Sequence, residues 1–230
     1  MGSNKKVEEA LAHIREAEKS LKTGLLKWKP DYDIAADEYN AAATCYKAAR
    51  QFAQYRDCLL KAAENYKICR SFFSAAKCVE HAALASKEIG DIDSIASLSE
   101  RAAGLYRNHG VPDTAALALD KGAKMIEGQN VEKAIHLYKY AVEIVMVQTV
   151  NSLIQGFDEQ DGDMVLKALN SAFIKHMDVE YAKLAKIIPI PKTSEEQKKS
   201  KEESSYSHDA NESAQQTSEG KHDDEELDLC

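Results

Sequence analysis

Catalysis and metal binding draw mostly on histidine, cysteine and carboxylates, so their spacing is the first thing to read. The seven histidines stand at His13, His81, His109, His136, His176, His208 and His222. No two are three or four residues apart, the spacing that sets two imidazoles on one face of a helix around a metal. His13 and Glu16 lie one helical turn apart, a pairing that usually reflects surface chemistry. The cysteines are Cys45, Cys58, Cys69, Cys78 and Cys230. None forms a CxxC pair, so a zinc site has little support. The first four fall on apolar faces of helical patterns and read as reduced core thiols of a cytoplasmic protein. The sequence holds no HExxH, GxGxxG, P-loop or GxSxG. These residue types therefore point away from an enzyme, and no cofactor is implied.

The elements that position these side chains come from a repeat. IAADEYNAAATCY (34–46), SAAKCVEHAALAS (74–86) and TAALALDKGAKMI (114–126) superimpose at a spacing of 40. Ala35, Ala75 and Ala115 coincide, as do Ala36, Ala76 and Ala116. Tyr39, Val79 and Leu119 follow, then Ala42, Ala82 and Gly122, then Ala43, Ala83 and Ala123. These offsets trace one helical face, and small residues on it let helices approach closely. A second helix follows each: Cys58, Ala62, Ala63 and Tyr66 match Leu98, Ala102, Ala103 and Tyr106. Tyr66 and Tyr106 read as packing residues. The third unit, KAIHLYKYAVEI (133–144), runs one residue out of step. Breaks are expected at Arg70-Ser71, Gly90-Asp91, Gly110-Val111-Pro112 and Gly128-Gln129-Asn130. A leading helix over about 4–22 completes the first pair.

Helix pairs at a fixed period of about 40 predict an all-α fold, a tetratricopeptide-like α-solenoid. The predicted organisation is a repeat domain over 1–147, a small C-terminal helical bundle over 148–188 and a disordered acidic tail over 189–230. Within 148–188, three short helices are expected: VNSLIQGFD, DMVLKALNSAFIKHM and DVEYAKLAKII. The net charge is −8, and most of it lies in the tail. From Lys192 to Cys230 five lysines oppose twelve acids. With no basic excess, nucleic acid is not an expected partner. No apolar run approaches the ~18 residues of a spanning helix, and MGSNKKVEEA has no signal-like hydrophobic stretch. A solenoid without chemistry is a scaffold for other proteins.

The run EEALAHIREAEKSLKTGLLKWKPDYDIAADEY resembles the soluble NSF attachment proteins (SNAPs), and GVPDTAALALDKGAKMIE and FDEQDGDMVLKALNSAFIKHMDVEYAKL are similar to the gamma branch of that family. The resemblance covers about 5–188 and the extreme C-terminus. It implies a cytoplasmic adaptor, peripherally associated with membranes. Such adaptors lie along SNARE complexes and recruit the ATPase NSF for their disassembly in vesicular protein transport. It also implies several more helices before the terminal bundle. Here YAVEIVMV runs straight into QTVNSLIQGFD, so the third repeat's outer face must be covered another way or stay open to water.

Residue roles follow from the same resemblance. Leu25, Leu26, Lys27, Trp28 and Lys29 form the loop that contacts the membrane in relatives, with the lysines facing anionic headgroups. Packing of Trp28 and the leucines on the solenoid's open end is the alternative. The segment YKAARQF suggests Arg50 and then Lys47 for the acidic SNARE bundle, with Arg107 third. The terminus DDEELDLC suggests Leu229 for NSF contact, supported by Glu225, Glu226 and Asp228. Two other functions compete: a tetratricopeptide-type scaffold that clamps a peptide, and a shortened form that binds SNAREs without activating NSF.

Overall fold

The computed structural model describes residues 2–23, 28–176 and 179–194. Among these residues there are helices and no strands. The chain divides into two compact units, residues 1–148 and Thr149 onward.

The first unit is a stack of helices joined by tight turns. It opens with α1 (Gly2–Leu21), α2 (Tyr32–Ala48), α3 (Phe52–Ile68), α4 (Phe72–Glu88), α5 (Ile92–Asn108) and α6 (Pro112–Ile126). From α2 to α6 each helix starts twenty residues after the one before. The reason lies at the helix ends. Arg50, Arg70, Gly90 and Gly110 all have positive φ, from 58 to 86°. Each follows a helix C-terminus in the left-handed conformation that closes a Schellman motif. At the first, the Arg50 N–H donates to Lys47 O and the Gln51 N–H to Tyr46 O, both at 3.0 Å. The same bonds recur after α3, α4 and α5, at Ser71 to Tyr66, Asp91 to Ser86 and Val111 to Tyr106. Four identical stops fix one pitch and send successive helices in opposite directions.

Arginine is a poor occupant of this conformation, because its Cβ crowds the backbone where glycine has none. Arg50→Gly and Arg70→Gly are each expected to stabilise the fold by about 0.5–1 kcal/mol. Urea midpoints of the two variants check this, and a decrease at both would refute it.

The buried register keeps the same pitch. Ala35, Tyr55, Ala75, Ile95 and Ala115 are buried, as are Tyr39, Leu59, Val79, Ser99 and Leu119. Every small residue of the aligned repeat face, from Ala35 to Ala123, is buried. Larger side chains fill in beside them; Leu59, Ile95 and Leu119 each contribute about 1.5–3 kcal/mol. Charged contacts divide the stack into two rows of alternate helices. Lys121 of α6 reaches Glu80 of α4, while Arg56 of α3 reaches Asp91 at the start of α5 and Arg101 of α5 reaches Glu64 of α3.

The next helix, α7 (Val131–Asp158), begins nineteen residues after α6. The turn before it uses no left-handed residue: Glu127 stays right-handed, and the N–H groups of Gln129 and Asn130 both donate to Ile126 O. Asn130 Oδ1 then accepts from the Lys133 N–H at 3.0 Å. This short turn is why the third unit runs a residue out of step. Ala134, Leu137 and Ile144 join the core, while Val131, Ile135, Val142 and Met146 are exposed.

Three expectations are corrected here. VNSLIQGFD is not a separate helix: it is the end of α7, because no glycine or proline interrupts the chain before Gly156. DMVLKALNSAFIKHM is not one helix but two, α8 (Gly162–Leu169) and α9 (Ala172–Lys175), parted at Asn170 and Ser171. Asn170 stops α8 by turning its side-chain amide onto Leu166 O. Cys69 is not a core thiol: it follows α3 at its C-terminal cap and is exposed. Cys58 and Cys78 are buried, and burial raises their thiol pKa values to about 11 and about 12.

The second unit contains α8, α9 and α10 (Val179–Ile187). Asp161 caps α8 by accepting from the Met164 N–H at 3.0 Å. Val165 and Ala168 are its buried apolar residues.

Candidate functional site: a basic row and an apolar loop

Lys47, near the C-terminus of α2, belongs to a group of cations on the even-numbered helices. Lys47, Lys77 of α4 and Lys121 of α6 all act on the His81 imidazole. Partial burial holds His81 below the usual imidazole range; the three ammonium charges add to this, against the pull of Glu80. Lys47 lies 5.7 Å over the Tyr55 ring and Lys77 5.2 Å over the Phe73 ring. Both contacts hold the stem of the side chain while leaving its charge in water.

On the odd-numbered helices several cations are paired with acids. Arg56 Nη1 donates to Asp91 Oδ2 at 2.7 Å, and Lys133 Nζ donates to Asp93 Oδ1 at 2.8 Å. Arg101 bonds Glu64. These pairs neutralise much of that row, though Lys61 sits over the Tyr39 ring at 5.4 Å. On the even row Lys47 and Lys77 have no ion pair among the described residues, whereas Lys121 is paired.

One acid does stand within the basic group. Glu80 Oε1 accepts from Lys121 Nζ at 2.6 Å, and its Oε2 accepts from the Tyr106 hydroxyl at 2.9 Å. Burial alone would raise the Glu80 pKa, but these two hydrogen bonds outweigh it and hold the carboxyl below its usual range. A depressed folded-state pKa adds stability above the ordinary value of 4.5 that is lost as pH falls through the folded value. Glu80→Gln is therefore expected to cost about 1–2 kcal/mol at pH 7 and less at pH 3. Urea titrations at the two pH values measure the difference; an equal loss at both would contradict it.

The other residues singled out in the sequence are dispersed. Arg50 is exposed in the turn after α2. Arg107 lies on the odd row, at the far end of α5, and donates to the Tyr140 hydroxyl at 3.1 Å. It does not join Lys47. Trp28 is 86% exposed and Lys29 is also exposed. Leu25, Leu26 and Lys27, and Glu225, Glu226, Asp228 and Leu229, lie outside the described residues. His13 turns away from Glu16; its Nδ1 is 2.6 Å from Glu38 Oε2. Tyr66 and Tyr106 pack, and each also donates to a carboxylate on the preceding helix, Asp37 and Glu80. Among the described residues no three histidines, cysteines or acids cluster as a metal site, and no helix is long and apolar enough to cross a membrane.

Sequence reasoning missed Lys77, His81 and Lys121. For His81 and Lys121 the signal was available at a shift of 20, where position 41 is followed by Lys61, His81, Arg101 and Lys121; Lys77 lies outside that series.

Two comparisons bear on this arrangement. The chain is 29% identical over 165 residues to the gamma-soluble NSF attachment protein of Dictyostelium discoideum, which covers 72% of this chain. The chain spans only about half the length of that relative, 51%. The family described as "Soluble NSF attachment protein, SNAP" matches residues 8–186, which take in α2 to α9 whole, most of α1 and nearly all of α10. A match running through both compact units, over the twenty-residue stack and the helices after it, places the chain in the soluble NSF attachment protein family.

Proposed function

We propose that this chain is a SNAP-type adaptor: it binds assembled SNARE bundles, recruits the NSF ATPase, and performs no catalysis itself. The observation that carries this reading is the even row of Lys47, Lys77 and Lys121 in a chain of this family. A four-helix SNARE bundle is long and acidic outside, and a row of cations on stacked helices matches such a partner in charge and extent. Arg50 borders the row and Arg107 offers a separate contact. The exposed Trp28 loop, with Lys27 and Lys29, supplies weak peripheral attachment to the membrane that carries the bundle. The acidic terminus with Leu229 is the NSF contact. The protein acts on the cytoplasmic side of membranes in vesicular protein transport.

The test is a pull-down on assembled SNARE bundles with NSF, non-hydrolysable ATP and this chain as sole adaptor. NSF retained, and lost with Leu229→Ala, supports the full reading. SNARE binding without NSF favours the shortened competitor, and binding to neither removes the proposal.

A further inference from the structure

The turn after α3 carries a second apolar and basic tip beside the Trp28 loop. Because successive helices run in opposite directions, the α1–α2 and α3–α4 connections emerge on the same edge of the stack. Side-chain contacts place them side by side. The Tyr66 hydroxyl, in the last turn of α3, donates to Asp37 in the first turns of α2 at 2.6 Å. Asp33 and Asp37 both act on Cys69. Trp28 is four residues before the start of α2.

Residues Lys67, Ile68, Cys69 and Arg70 are all exposed. Ile68 is 56% exposed, at a position where a helix end could have carried a polar residue at no cost to packing. Neither Lys67 nor Arg70 has an ion pair among the described residues. Asp33 and Asp37 are the nearby acids: Asp37 accepts from the Tyr66 hydroxyl, and Asp33 sits in the first turn of α2 where the helix dipole favours it. The other described turn tips lack this combination. Glu88 offsets Lys87 beside Ile89, and the tip at 107–110 has no aliphatic side chain, its His109 ring lying against Phe73 at 5.3 Å.

We infer that Lys67, Ile68 and Arg70 form a second contact with an anionic membrane surface, so that an edge of the solenoid, rather than one loop, rests on the bilayer. This rests on the membrane role given above to the Trp28 loop. One loop alone leaves the stack free to swing. Two neighbouring tips fix its angle to the membrane. An isoleucine flanked by two unpaired cations fits the boundary where headgroup charge meets acyl chain, as interfacial anchors do.

The experiment is co-sedimentation of the full chain with vesicles of phosphatidylcholine, with and without about 30% phosphatidylserine. The variants are Ile68→Ser, the double variant Lys67→Gln/Arg70→Gly, and Trp28→Ser. Arg70→Gly suits the left-handed turn, and circular dichroism verifies each fold. Ile68→Ser is expected to lower partitioning about fivefold on both vesicle types. The double variant should lower it about tenfold on the anionic vesicles and leave neutral binding unchanged. If Trp28→Ser weakens binding while the tip variants match the wild type, the loop reading stands and the second contact is overturned. Loss in the tip variants alone supports the second contact and removes the loop. No change in any variant, or no binding by the wild type, overturns both. Emission from Trp28, the only tryptophan, separately reports whether the loop enters the bilayer.

Discussion

Gly122→Ala is expected to destabilise the protein by about 2–3 kcal/mol, against the usual gain of about 1 kcal/mol for alanine over glycine in a helix. A Cβ at residue 122 would stand 2.1 Å from Ser99 Oγ, 2.6 Å from Ser99 Cβ and 3.3 Å from Leu137 Cδ1. Neither Ser99 atom can retreat. Ser99 is buried, and its hydroxyl donates to Ile95 O at 2.8 Å within α5. Two helices meet here with no space for a methyl group, at the position where the earlier repeats carry Ala42 and Ala82. The remedy therefore lies on the opposite helix. Ser99→Ala should restore little of the lost stability, since its own Cβ still collides; Ser99→Gly in the Gly122→Ala background should restore most of it, less the helix cost of glycine. Gly104, also in a helix, has nothing within 4 Å of an added Cβ, so Gly104→Ala should stabilise by up to about 1 kcal/mol. Urea melts of the five proteins give the whole comparison. A Gly122→Ala variant as stable as the wild type would mean the helices can separate at no cost.

Reversing the even row should have the largest effect on binding. Lys47→Glu, Lys77→Glu and Lys121→Glu together are expected to weaken association with assembled SNARE bundles about a hundredfold at low salt. Each exposed charge contributes on the order of 1 kcal/mol or less to such a complex, and reversal replaces attraction by repulsion. The defect should shrink at about 0.5 M salt, where screening acts over a few ångströms. The matched control reverses Lys61, Lys67 and Lys139, three exposed cations of the odd-numbered helices, for the same change in net charge, and should bind as the wild type. Titration at two salt concentrations decides it. A control as defective as the triple variant would show that net charge, not the row, governs binding.

The sequence made the core of this fold easy to see and its turns hard. Ala35, Ala75 and Ala115 stand out because alanine marks close helix contacts at a spacing that survives forty residues. The twenty-residue pitch is less visible because the left-handed stop after α2 is Arg50, which carries none of the signal that glycine gives at Gly90 and Gly110. The repeat pattern fades near Val147, which suggests a helix boundary, yet side-chain periodicity and helix continuity are separate properties, and α7 keeps the second without the first. The basic row was partly hidden for a related reason. At a shift of forty, Lys77 aligns with Asp37 and Leu117, so charge does not repeat even though position does. Lys47 and Arg50 follow from family resemblance and Lys121 from the twenty-residue shift; Lys77 requires the packing that sets it on an alternate helix.

The twenty-residue pitch also gives the stack a parity. Each helix reverses direction, so residues twenty apart face opposite edges and residues forty apart share one. Removing a single helix would carry every later turn across to the other edge and move Lys121 out of its row. Removing two would leave every later residue facing as before. Chains built this way can change length in steps of one pair and keep their surfaces, whereas a step of one helix turns the remainder over.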